Sequence, residues 1–232
     1  MKIIYRISDA GYNKVKPEYI NNENCLKNFV YVFGNRDIQV IADNCSEDTL
    51  KIIRKYVHPN QIKEVSVGHG AGTFNLALTE ALQGGEDEII YFLENDYLHK
   101  PNADKILLEG FNTGATYVAL YDHPDKYIDG ANPEVEGGGE LTRVLLTESG
   151  HWKMTNSTTM TFAAKVKTLR EDEKLLRSFT QGSYPRDFEM FLALRDKGRA
   201  LITPIPGYAT HGEVAWLSPL TNWNDISNNT NV

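Results

Sequence analysis

The chain carries only two cysteines, Cys25 and Cys45, in 232 residues. That is too few for a disulfide framework, so a reducing, cytoplasmic setting is the expectation. No apolar run approaches the ~18–20 residues of a membrane span. The opening MKIIYRISDAGYNK breaks at Arg6 and Asp9, short of the ~7–15 apolar residues of a secretory signal, and reads as a first strand. Dense basic runs are also missing, and the net charge is −7. Free nucleic acid needs a Lys/Arg surface that displaces counterions, so it is not an expected partner. There is no internal repeat and no linker that divides the chain. What is present is 41% hydrophobic and 24% charged, the composition of a soluble globular protein.

Apolar strands alternate with helical patterns through the first half. Strands are expected at 2–7, 37–42, 62–67, 88–93 and 116–121, and helices at about 46–56 and 71–82 and after Pro101. This order predicts a mostly parallel sheet covered by helices on both faces. Ligands bind such sheets beyond the carboxyl ends of the strands. From Asp122 to Gly150 the chain turns rich in Asp, Pro and Gly, including Gly137-Gly138-Gly139, and a long loop or small hairpin is expected there. A strand over 159–166, helices near 169–179 and 186–197, and an Asn-rich tail from Ser218 complete the reading.

Acidic residues stand at the ends of these elements. Asp43 follows the strand DIQVIA directly, where a carboxylate can either hold a turn or accept a nucleotide's hydroxyl or base N–H. The run IIYFLENDY ends in Glu94 and Asp96. Two carboxylates at i and i+2 face one side of an extended chain and repel, unless a cation joins them. Mg²⁺ and Mn²⁺ suit that task, since they take few protein carboxylates and fill the shell with phosphate oxygens. His211, after a short strand, is either structural or a further ligand for such an ion. In YPRDFEMF, Asp187 and Glu189 either favour the positive end of a helix or supply a general base. His151, Trp152 and Asn156 combine an aromatic face with polar groups suited to a sugar acceptor, although Trp152 also fits a core anchor.

Asp43, the block from Gly68 to Asp96, the Asp187 region and His211 occur in an order that resembles the nucleotide-sugar glycosyltransferases of the GT-A fold, nearest the inverting family 2 type. IADNCSEDT is similar to that family's strand-ending Asp before a helix start. GHGAGTFNLALTEALQGGEDEIIYFLENDY is similar to the lead into its Asp-x-Asp metal motif. The resemblance implies one GT-A-like α/β domain over 1–232, with a nucleotide-sugar half (1–121), an acceptor and catalytic half (122–217) and a polar tail (218–232). It also implies a hexosyltransferase-like enzyme that uses a nucleoside diphosphate sugar, Mn²⁺ or Mg²⁺, and a glycan or other hydroxyl-bearing acceptor. By the same pattern Asp43, Arg6, Ser8, Glu94 and Asn95 contact the donor, Asp96, Glu94 and His211 serve the metal, and Asp187 or Glu189 is the base. The chain departs from the pattern in beginning its metal motif with Glu and in lacking the usual first-strand ending. Rival readings are a sugar nucleotidyltransferase, against which SDAGYNKVKP counts with its single glycine, and a non-catalytic nucleotide-sugar binding module.

Overall fold

The computed structural model describes residues 1–10, 14–35, 37–137 and 139–230. Gly11 to Asn13 of the opening stretch, Gly138 of the glycine triplet and the last two residues of the tail lie outside them. The strands are β1 (Lys2–Ser8), β2 (Ile38–Asp43), β3 (Ile62–Val65), β4 (Ile89–Glu94), β5 (Tyr97–His99), β6 (Tyr117–Val118), β7 (Val135–Glu136), β8 (Gly139–Glu140), β9 (Val144–Leu146), β10 (His151–Met154), β11 (Phe162–Lys165), β12 (Leu201–Ile205) and β13 (Ala209–His211). The helices are α1 (Asn22–Phe33), α2 (Glu47–Tyr56), α3 (Gly70–Ala81), α4 (Ala103–Gly110), α5 (Val166–Ser178), α6 (Asp187–Asp196) and α7 (Trp223–Asn228).

Among the described residues one nine-stranded sheet runs β3-β2-β1-β4-β11-β6-β12-β10-β9. Its strand directions follow from the pairings: all but β11 and β10 point the same way. The chain is thus a mixed α/β protein built on a large, mostly parallel sheet.

Strand alternation sorts the core into two layers. Ile3, Tyr5 and Ile7 of β1, with Tyr91 and Leu93 of β4, face Leu26, Phe29, Leu50 and Ile53 of α1 and α2. Ile4, Ile90 and Phe92 face the other way, onto Phe74, Ala77 and Leu78 of α3 and Leu169 and Leu176 of α5. Each such side chain taken fully from water contributes ~1.5–3 kcal/mol, so these two layers dominate the stability of this part of the sheet.

The second layer also decides where charge goes. Continuing its alternation, β1 presents Arg6 and β4 presents Glu94 on that face, and the strand register pairs Arg6 with Glu94 directly. The same register places Ser8 beside Asp43 at the end of β2.

Candidate active site

The carboxyl ends of β1, β2 and β4 open into a cavity of about 690 Å³, lined among others by Arg6, Ser8, Asp43, Glu94, Asn95 and Asp96. Its floor is a set of paired and hydrogen-bonded charges. Arg6 is buried, pairs with Glu94 at 3.1 Å, and donates to the carbonyls of Gly70 and Met160. Its guanidinium lies over the Phe74 ring, 5.5 Å from the centroid. Asp43 is 2% exposed and accepts from the amides of Val67 (2.6 Å) and Gly68 (2.9 Å). It therefore holds the β3–α3 turn and also forms cavity wall. Gly68 takes φ +81° there, a left-handed conformation that suits glycine. His69 is the N-cap of α3, accepting from the Gly72 amide. Asn95 donates to Asn22 and to the Ser8 carbonyl.

Asp9, which also lines the cavity, accepts from the Ser46 amide and the Thr49 hydroxyl, both at 2.6 Å. Partial burial would raise its carboxyl, but these bonds from the start of α2 hold it below the usual range.

The two carboxylates of ENDY meet different protein cations. The chain turns after Glu94, so Glu94 stays with Arg6 on the sheet face while Asp96 enters a separate charge cluster. The shared facing that i and i+2 residues have in an extended chain does not apply here: β4 ends at Glu94, and a turn intervenes before β5. β5 pairs antiparallel with β13, matching Tyr97 to His211, which brings His211 beside Asp96. His211 Nε2 is 3.4 Å from Asp96 Oδ2. Lys16 Nζ is 3.0 Å and Lys14 Nζ 3.8 Å from the same oxygen, and Lys14 Nζ is 2.8 Å from His211 Nε2. Burial alone would raise the Asp96 carboxyl, but His211, Lys16 and Lys14 hold it well below the usual carboxylate range. Close packing fixes this corner. A Cβ on Gly212 would stand 2.3 Å from Ile20 Cγ2 and 2.8 Å from the Asp96 carbonyl oxygen.

Whether a divalent ion suits these residues can be read from the donors. Among the described residues no three His, Cys, Asp or Glu side chains converge on one point. Asp96 and His211 offer a pair whose 3.4 Å spacing is near the ~3 Å edge of an octahedron with bonds of ~2.1 Å. Asp96 Oδ1 is buried and, among the described residues, has no hydrogen-bond partner. A pair of protein ligands is what Mg²⁺-type sites use when substrate phosphates complete the shell, so the residues fit an ion that arrives with a phosphorylated ligand. Glu94, turned to Arg6, is not part of that pair.

Asp187 begins α6, and its Oδ2 accepts from the amides of Thr158 (3.0 Å) and Thr159 (2.8 Å). The turn it grips is strained: Thr159 and Met160 both lie in the left-handed region, at φ +45° and +57°, unusual for residues with side chains. Tyr97 bonds the Thr159 hydroxyl and the Thr158 carbonyl, and the Met160 carbonyl receives Arg6. Asp187 is thus tied to the Arg6–Glu94 floor through one turn. Tyr184, three residues earlier, lines the cavity itself. Glu189, two residues on, is exposed on another side of the helix. Sequence reasoning missed Lys14 and Lys16 as partners of Asp96, and it missed the Tyr97–Thr159 contact.

The expected acceptor residues lie elsewhere, and none of them lines this cavity. Trp152 is 1% exposed, packs in the first core layer and donates to Thr147. The sugar-platform reading is therefore corrected in favour of a core anchor, because no ring face is open. Asn156 is buried against Asn132 and borders a second cavity of about 390 Å³ with Phe191, Arg195 and Arg143. His151 is exposed at the start of β10.

No protein-family profile matches the sequence, and no curated protein matches it by sequence. Solved structures do match the fold. GalNAc-T7, determined with UDP, GalNAc and Mn²⁺, aligns at TM-score 0.57 and 11% identity over 90% of this chain and 42% of its own. TarS of S. aureus aligns at 0.51 and 14% identity over 88% of this chain and 35% of its own. The 1–349 portion of TarS aligns at 0.51 and 15% identity over 88% and 58%. This chain thus spans roughly a third to three fifths of these three structures. Its fold is that of the GT-A nucleotide-sugar glycosyltransferases.

Proposed function

We propose that this chain is a glycosyltransferase that moves a sugar from a nucleoside diphosphate sugar to an acceptor hydroxyl, with inversion at the anomeric carbon. The observation that supports it best is the cavity at the carboxyl ends of β1, β2 and β4, lined by Arg6, Asp43, Glu94 and Asp96 within a GT-A sheet. In parallel sheets that position is where nucleotides bind.

On this reading residues 1–121 form the donor half and 122–217 the acceptor half. Asp43, Ser8 and Asn95 line the nucleoside end, and Asp43 meets base or ribose. Asp96 and His211 would hold Mn²⁺ or Mg²⁺, which would supply positive charge to stabilise the diphosphate leaving group. Asp187 takes the proton from the acceptor hydroxyl. As that oxygen bonds the anomeric carbon, the carbon–oxygen bond to the diphosphate breaks, and its electron pair leaves with the phosphate. Attack opposite the leaving group inverts the carbon. Oδ2 of Asp187 is already occupied by two amides, so Oδ1 is the oxygen left to accept that proton. Glu189 is the weaker candidate because its position is exposed. The cavity bordered by Asn156 and Phe191 starts one turn along α6 from Asp187, and acceptor approaches from that side.

The test is a thermal-shift panel of nucleoside diphosphates and triphosphates, with and without Mn²⁺, on wild type and Asp96→Ala. Ligand at ~100 times its Kd stabilises by about 2.7 kcal/mol. The reading expects a shift from one diphosphate that grows with Mn²⁺ and loses that growth in the variant. A shift from triphosphate alone, with pyrophosphate release on adding a sugar phosphate, would transfer the site to a nucleotidyltransferase. A shift with neither would end the nucleotide reading.

A further inference from the structure

A carboxylate reserved for a divalent ion should not already hold two ammonium groups. Asp96 does: Lys16 and Lys14 both reach Oδ2, and Lys14 also reaches His211 Nε2. The ammonium groups thus sit on Asp96 Oδ2 and His211 Nε2, the two atoms whose spacing suits an ion. They come from one short stretch, and that stretch is pinned to the segment that directly follows His211. Val214 donates its amide to the Val15 carbonyl at 2.9 Å, and Ile20 packs where a Gly212 Cβ would stand. Both lysines line the nucleotide cavity, and their side chains are 22% and 32% exposed.

Charge decides what can displace them. Two ammoniums on one carboxylate leave a local positive excess, so a bare divalent ion meets repulsion at this edge. A diphosphate meets attraction. Phosphate oxygens can draw the ammoniums off Asp96, and only then does the edge have a place for the ion. Resting on the glycosyltransferase reading, we propose that Lys14 and Lys16 are diphosphate-binding residues that also guard the metal edge, so that the ion gains Asp96 and His211 only as the lysines pass to the donor's phosphates.

Such coupling is reciprocal, and coupling between sites typically spans about 5–150-fold in affinity. The experiment compares wild type, Lys14→Met/Lys16→Met and Lys14→Arg/Lys16→Arg. Mn²⁺ alone is titrated by electron paramagnetic resonance, and pyrophosphate without metal by calorimetry. Pyrophosphate makes the phosphate arm independent of which base the cavity prefers. In the Met variant Mn²⁺ alone should bind about tenfold tighter and pyrophosphate alone about tenfold weaker. The Arg variant should keep pyrophosphate binding, because the charge stays. Equal Mn²⁺ affinity in wild type and the Met variant overturns the guard, and equal pyrophosphate affinity overturns the phosphate role. Failure of wild type to bind pyrophosphate or any nucleoside diphosphate overturns this inference together with the glycosyltransferase reading. Binding in wild type that the lysine variants leave untouched overturns this inference alone. Melting curves of the Met variant check folding, which partly exposed lysines should leave intact.

Discussion

Two groups of charges in this molecule look alike in a contact map and behave differently. In the 690 Å³ cavity at the carboxyl ends of β1, β2 and β4, Lys14 and Lys16 meet Asp96 at an open wall. Under the 122–157 segment, Lys153 meets Asp122 at 2.9 Å and Glu140 at 3.3 Å, and Lys126 meets Asp125 at 2.8 Å. Lys126 is 0% exposed, and Lys153 and Asp122 are buried. Tyr127 donates to Asp122, Ser157 accepts from Lys126, and Asn132 donates to Asp125. This second network is the more deeply buried, and of the charged residues named only Glu140 reaches the wall of the 390 Å³ cavity. The lesson is that an ion pair's surroundings decide its use. Buried, hydrogen-bonded charges fix a loop that has little apolar content, whereas charges at a cavity wall can trade partners with a substrate.

That contrast can be broken by substitution. Lys153→Met leaves Asp122 and Glu140 facing each other without their cation, and unfolding experiments should show a loss of about 3–5 kcal/mol. Lys16→Met, by comparison, should cost no more than about 1 kcal/mol, since the half-open site lets water replace the ammonium. Similar losses at both positions would erase the distinction.

Asp187→Asn sharpens it from the catalytic side. The amide oxygen can still accept from Thr158 and Thr159, so the melting temperature should move little while kcat falls about 10²–10⁴-fold. A variant that retains wild-type turnover removes Asp187 from the chemistry and returns Glu189 to consideration.

A smaller effect concerns pH. His99 is fully buried, bonded to Tyr91 through Nε2, and burial lowers its pKa from 6.5 to about 3. The unfolded chain takes up that proton near pH 6.5 and the folded protein only near 3. Stability therefore falls as pH drops through that window, approaching about 1.4 kcal/mol per pH unit in its middle. His99→Gln should flatten the slope of urea-derived stability between pH 6 and 4.5 by about one proton. An unchanged slope would show that some other group carries it.

How much of this was written plainly in the sequence depends on the range of the interaction. Apolar runs closed by Asp43 and Glu94 announced β2 and β4, because strand patterning is local. Helix α1 was not anticipated: its polar Asn-rich start hid a usable signal, the Asn21 N-cap followed by buried Cys25, Leu26 and Phe29. The strand expected over 116–121 pairs as β6 only at Tyr117 and Val118. Trp152 misled because a core ring and a sugar platform share one residue type, and only burial tells them apart. Lys14 and Lys16 lie some eighty residues from Asp96, and no spacing rule connects them. The β5–β13 pairing that delivers His211 is equally non-local. The place of the site could be read along the chain, but its charge partners could not.

The turn at Thr159 and Met160 has a consequence for evolvability. Two side-chain-bearing residues in a left-handed conformation store roughly 1–3 kcal/mol each, held in place by Asp187, Tyr97 and Arg6. Glycine at position 160 would relax its share of that strain and loosen the loop that orients Asp187. Selection for thermal robustness alone would therefore drift toward glycine here, whereas under the proposed role of Asp187 selection for turnover would hold the strained pair in place.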